Sequence, residues 1–135
     1  MIYIPVSIGE LIDKLSILQV KKNKITESQK LSYVNQEFDQ LHQRSKEYLK
    51  DNQILNLYEK LIVINTNLWE IEDKLRLLEL SSKFEGEFIE LARKVYFTND
   101  ERFNVKNKIN QLTFSNLKEV KDYVDYRKLD QNSDI

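Results

Sequence analysis

Between Ile54 and Leu78 the apolar side chains Ile54, Leu57, Leu61, Ile64, Leu68, Ile71, Leu75 and Leu78 follow one another at steps of 3 and 4 residues without a miss. That alternation gathers them on one stripe of a helix and is incompatible with a strand, whose side chains change face at every residue. The spacing predicts a helix of roughly 27 residues, about 40 Å long at ~1.5 Å per residue. A helix with one apolar stripe cannot bury it alone, so the rest of the chain must supply partner helices.

The rest of the chain reads that way. Ile2, Ile4 and Val6 alternate with Tyr3 and Pro5, and Pro5 keeps Ile4 out of the α region, so the first residues form a short extended segment. Ser7-Ile8-Gly9-Glu10 has the capping-box pattern, and Ile8, Leu11, Leu15 and Leu18 then trace a first helix to about Ile25. Thr26-Glu27-Ser28-Gln29 offers a second cap of the same type. Leu31, Val34, Phe38, Leu41 and Tyr48, with Ser45 in their seam, carry a second helix to about Lys50. Asp51-Asn52 breaks it, and Ser81 to Gly86 turns the chain after the third. Phe88, Leu91, Val95, Val105, Ile109 and Leu112 share a seam of a fourth helix, but the two positions between Val95 and Val105 are Thr98 and Arg102. Because Thr98-Asn99-Asp100-Glu101 is itself a capping-box pattern, this is either one helix with a polar layer or two helices meeting near Thr98. Ser115 can cap a short C-terminal helix carrying Leu117, Val120 and Val124.

Composition agrees, with only 2 Gly and 1 Pro in 135 residues, which leaves room for few turns and long elements. The expected fold is all-α: an antiparallel bundle of three to four long helices, with the extended N-terminal segment and the short C-terminal helix. One domain over residues 1–128 and a fraying tail over 129–135 are expected. Leu61, Ile64, Leu68 and Ile71 should be its core.

Several function classes drop out. With no Cys there is no disulfide and no Cys-ligated metal, and the single His42 cannot build a site rich in imidazole. His42 itself reads as an exposed polar side chain, and Tyr123 and Tyr126 as packing against the bundle. A net charge of −1, with no basic cluster interleaved with aromatics, argues against nucleic acid and anionic membranes as partners. No apolar run reaches the ~18 residues of a membrane span, and Met1 to Val6 lacks the flanks of a signal peptide, so a cytoplasmic location is expected.

Chemistry, if any, sits beside the apolar seams. Helix 1 carries a mixed stripe of Glu10, Asp13, Lys14, Ile17 and Lys21. Helix 3 carries Asn65, Trp69, Glu72, Asp73 and Arg76, and helix 4 carries Ala92, Tyr96, Asn99, Phe103, Lys106 and Asn110, flanked by Arg93, Asp100 and Arg102. Such stripes are commonly solvated flanks with intrahelical ion pairs worth ~0.2–0.5 kcal/mol each. Two features point further. The chain's one Trp lies off the helix 3 seam, and three of its five arginines fall on helices 3 and 4 although Lys dominates elsewhere. Arginine is the donor of choice where a carboxylate or phosphate is held in fixed geometry, either within the bundle or in an anion pocket.

Three blocks within these helices carry a resemblance: Pro5 to Leu15 (PVSxGE opening), Asn67 to Arg76 (LWxIEDxxR) and Glu90 to Arg102 (ELARxVYxTNDxR). They resemble an uncharacterised family of small bacterial and phage proteins. The resemblance covers most of the chain and brings no established activity. It implies that Glu10, Asp13, Lys14, Trp69, Glu72, Asp73, Arg76, Arg93, Tyr96, Asn99, Asp100, Arg102 and Lys106 belong together, and it implies a neighbourhood of surface-polysaccharide metabolism. Helix 2, outside the blocks, reads as scaffold.

The expected function is therefore a non-enzymatic binding module. Its mixed cleft would take an anionic small molecule or a partner segment through Arg76, Arg93, Arg102 and Lys106, with Trp69 and Tyr96 as flat walls. One alternative is a magnesium-dependent all-helical nucleotide or nucleotide-sugar hydrolase, for which Glu70/Asp73 and Glu87/Glu90 have a suitable i, i+3 spacing. The other is a homo-oligomeric adaptor whose second stripes form the interface. No cofactor can be named from the residues.

Overall fold

In the computed structural model, residues 1–114 and 122–127 are described. The expected capping at Ser7 is there: its Oγ accepts a hydrogen bond from the Glu10 backbone N–H at 3.0 Å and opens α1, Ile8–Lys24. The second cap lies one residue later than the sequence pattern suggests. Glu27, not Thr26, accepts from the amides of Gln29 and Lys30, and α2 runs Ser28–Leu49. Asp51 caps α3, Asn52–Leu80, by accepting from the amides of Gln53 and Ile54. At its far end Lys83 N–H bonds to Leu78 C=O and Ser82 N–H to Glu79 C=O, a Schellman stop with Ser82 in the left-handed region. α4, Gly86–Thr113, is continuous through Thr98, so the polar positions on its seam form a layer within one helix. No strand occurs among the described residues.

Connections of a few residues fold the helices up, down, up, down. α1, α3 and α4 pack on one another, and α2 lies against α1 and α3 on the outside. The core sits between the first three, where Ile12, Ile54, Leu61, Ile64, Val105 and Ile109 interlock. α2 contributes one fully buried residue, Ser45, whose small side chain donates back to Leu41 C=O. Lys22 lies over the Phe38 ring and Phe38 stacks on His42, so His42 is half-buried rather than exposed. Tyr58, packed against the core, has its phenol pushed up to about 12 by burial.

Unequal lengths shape the molecule. α1 has 17 residues against 29 and 28 for α3 and α4, and its last residue, Lys24, pairs with Glu70 at 3.1 Å. Beyond that level α3 and α4 continue as a pair, and Leu77, Leu80, Phe84 and Ile89 are exposed there. Near the same level Leu68 is only half-buried, although its stripe predicts a core position. Leu61, Ile64 and Ile71 are buried as expected.

That difference is measurable. Leu61→Ala, at a site with no exposed surface, should lower unfolding stability by about 2–5 kcal/mol. Leu68→Ala should cost clearly less, about 1 kcal/mol, because part of its side chain already faces water. Urea denaturation reads both, and equal losses would contradict the placement of Leu68. The short C-terminal helix expected from Ser115 and the tail from Leu129 lie outside the described residues. Val124 and Tyr123 are exposed, so Tyr123 does not pack on the bundle as expected. No helix among the described residues is long and apolar enough to cross a membrane.

Candidate functional site

Asp13 is the best-buried charged residue described, with 0% exposure, and everything around it is arranged to hold its carboxylate. Arg102, one of the polar positions on the α4 seam, meets it side-on. Its Nε donates to Oδ1 at 2.9 Å and to Oδ2 at 3.0 Å, and its Nη2 donates to Oδ2. From α3, Asn65 Nδ2 donates to Asp13 Oδ1 at 3.0 Å and to Ser16 Oγ at 2.8 Å, and Ser16 Oγ donates in turn to the Asp13 carbonyl. A second cation, Lys106, lies 3.7 Å from Asp13 Oδ2 and 2.7 Å from Glu10 Oε2. Two carboxylates and two cations thus balance, which is the condition under which buried charge is tolerated. The Glu10 carboxylate joins this network instead of closing the capping box that its sequence position suggests.

One step further along α4, Gly9 and Asn110 fix the approach of α1. The Gly9 amide donates to Asn110 Oδ1 at 2.7 Å, and a Cβ on Gly9 would lie 2.4 Å from the Lys106 carbonyl oxygen. The glycine lets two helices meet at a distance no other residue permits.

Above the Asp13 network a cleft of about 480 Å³ opens between α1, α3 and α4. Asn65, Asn99 and Arg102 lie at its polar end, and Ile17, Val20, Leu68 and Val95 form an apolar stretch. The rest of the lining is Trp69, Lys21, Glu72, Asp73 and Arg76. Arg76 and Glu72 stand 3.8 Å apart with most of the guanidinium in solvent, a pair worth little.

The residues expected to act together therefore divide. Trp69, Glu72, Asp73, Arg76, Asn99 and Arg102 share the cleft. Glu10, Asp13 and Lys106 lie beneath it, inside the bundle. Lys14 turns outward to Glu37 of α2, 4.0 Å away. Arg93, Tyr96 and Asp100 are not on the cleft. Arg93 lies over Phe97, Tyr96 packs edge-on against Tyr126, and Asp100 accepts a hydrogen bond from the Tyr126 hydroxyl at 2.9 Å. Partial burial and that carboxylate partner hold the Tyr126 phenol above its ordinary value. The sequence reading missed Ser16 and Val20; the i, i+3 relation of Ser16 to Asp13 is the one local signal that would have flagged it. Among the described residues no three His, Cys, Asp or Glu side chains converge in a way that could hold a metal ion. Glu70, half of one carboxylate pair expected to do so, faces Lys24 instead.

Residues 2–130 match the model of DUF6165, a family of unknown function. No curated protein and no solved structure matches the chain.

Proposed function

We propose, on the premise that this chain belongs to the DUF6165 family of unknown function, that it is a helical binding module whose cleft takes an anionic small molecule. One observation carries the reading: the single Trp and two cations, Lys21 and Arg76, line one cleft whose polar end is already locked by the Asp13–Arg102 clamp. A cleft of about 480 Å³ suits a small ligand, and a mostly apolar lining with a few placed polar groups is what such sites have in common. The clamp prepays the ordering of Arg102, so ligand binding need not supply it. Trp69 offers a flat wall, and Arg76 and Lys21 offer charge that is not spent on a strong internal pair.

The test is a thermal-shift screen against nucleotides, nucleotide sugars, phosphorylated sugars and sugar acids, each with and without magnesium or manganese. A compound at about 100 times its Kd adds ~2.7 kcal/mol, a rise in midpoint of roughly 5–10 °C for a domain of this size. Arg76→Ala should remove that rise without lowering the midpoint of the ligand-free protein, since the side chain is mostly solvated. An unmoved midpoint across every class would contradict the reading. A rise that needs both metal and phosphate and is lost in Asp73→Asn would favour the hydrolase alternative.

The adaptor reading draws on a separate observation, the exposed Leu77, Leu80, Phe84 and Ile89 where α3 and α4 run beyond α1. Sedimentation of the same samples addresses it: a dimer lost in Leu80→Lys and retained in Arg76→Ala would favour it.

A further inference from the structure

The cleft has a direction. Asn65 is 7% exposed and lines the polar end, and its amide can be oriented without ambiguity. Its Nδ2 lies 3.0 Å from a carboxylate oxygen of Asp13, which can only accept, and 2.8 Å from Ser16 Oγ, whose proton goes to the Asp13 carbonyl. The nitrogen must face Asp13, which turns Oδ1 away from the network. That oxygen accepts no hydrogen bond from any described residue, and it is not sealed from solvent. A nearly buried acceptor is thus presented at the polar end of the cleft.

The charges on the rest of the lining add a second constraint. Lys21 and Arg76 are matched there by Glu72 and Asp73, and at the polar end Arg102 is matched by Asp13. One anionic group can recruit Arg76 from its loose 3.8 Å pair with Glu72 and meet Lys21 as well. A more highly charged group at that end would face Glu72 and Asp73, and a second anion at the polar end would set acceptor against acceptor at Asn65 Oδ1, beside an Arg102 whose charge Asp13 already matches.

We infer that the ligand of the cleft is a small molecule with a single anionic group at one end and a hydroxyl or amino hydrogen-bond donor at the other, which enters donor-first onto Asn65 Oδ1 and leaves its anion to Lys21 and Arg76. This rests on the binding-module reading and narrows it: monophosphates and carboxylates with a distal donor fit, and polyphosphates do not. The body between the two ends lies along Ile17, Val20, Leu68 and Val95, against which a carbon skeleton is favourable.

Three probes of one skeleton test it: 6-hydroxyhexyl phosphate, n-hexyl phosphate and hexane-1,6-diyl bisphosphate, titrated against the fluorescence of Trp69, the chain's only Trp. The hydroxylated monophosphate should bind at least tenfold more tightly than the hydrocarbon one, because only it pairs the buried acceptor. The bisphosphate should bind more weakly than either. Lys21→Gln should weaken both monophosphates by a similar factor and leave the ratio between them unchanged. Equal affinities, or a bisphosphate that binds most tightly, would overturn the donor-first orientation while leaving the cleft a binding site. A Trp69 signal unmoved by all three at millimolar concentration would overturn both.

Discussion

Asp13→Ala should be the most damaging substitution in the protein, lowering unfolding stability by about 3–5 kcal/mol in urea titrations. The loss comes from what stays behind. Arg102 would keep its place in the α1–α4 interface without the Asp13 carboxylate that its fork grips, Lys106 would lose one of its carboxylates, and the Asn65 amide would lose one of its two acceptors. Cations stripped of a buried carboxylate cost far more than the pair itself contributes. For the same reason, removing both ends should restore much of the loss: Asp13→Leu with Arg102→Met should be more stable than Asp13→Ala alone, and the double-mutant cycle should show strong coupling. A loss below about 1 kcal/mol for Asp13→Ala would mean that the network is solvated, contrary to its geometry.

The second large effect is expected at Gly9. A Cβ there would meet the Lys106 carbonyl oxygen at 2.4 Å and Asn110 Oδ1 at 2.8 Å. The first contact is backbone of a long helix and cannot swing aside, so α1 must withdraw and the Gly9 N–H to Asn110 bond must stretch. Overpacking and a strained buried hydrogen bond together should cost about 2–4 kcal/mol. Gly86→Ala is the control, since nothing lies within 4 Å of its Cβ position and the backbone is not in the left-handed region. That change should be neutral or stabilise by up to ~1 kcal/mol through helix propensity. If the two glycines respond alike, the close approach of α1 to α4 is absent.

What the sequence made legible follows from what is local. Stripe spacing located all four helices, Ser7 located the start of the first and Asp51-Asn52 the break after the second, because period, cap and break are written within a few consecutive residues. Continuity of α4 was not legible. Thr98 to Glu101 satisfies a cap pattern equally well whether or not a helix begins there, and the fold places Arg102 opposite Asp13, a tertiary fact. Glu10 teaches the same lesson, since its local role as a capping residue gives way to Lys106, 96 positions along the chain. The stripe that contains Leu68 says which side of α3 it occupies, not whether the space opposite is filled, and the cleft opens there. Part of the second stripes meets in the cleft and part in the network beneath it. They could not say which residues sit under the cleft, which line it and which, like Tyr96 and Asp100, face Tyr126, because a small rotation of each helix decides it.

The indole N–H resonance of Trp69 is the most direct reporter on whether the cleft is the working surface, because the chain has a single Trp and the cleft holds it. For the compound that gives the largest thermal shift, a heteronuclear NMR titration should move that resonance together with the amides of Ile17 to Lys21, Leu68 to Arg76 and Val95 to Arg102. Perturbations that spare the indole and gather instead at Leu77 to Ile89 or at Met1 to Val6 would contradict the cleft as the binding site.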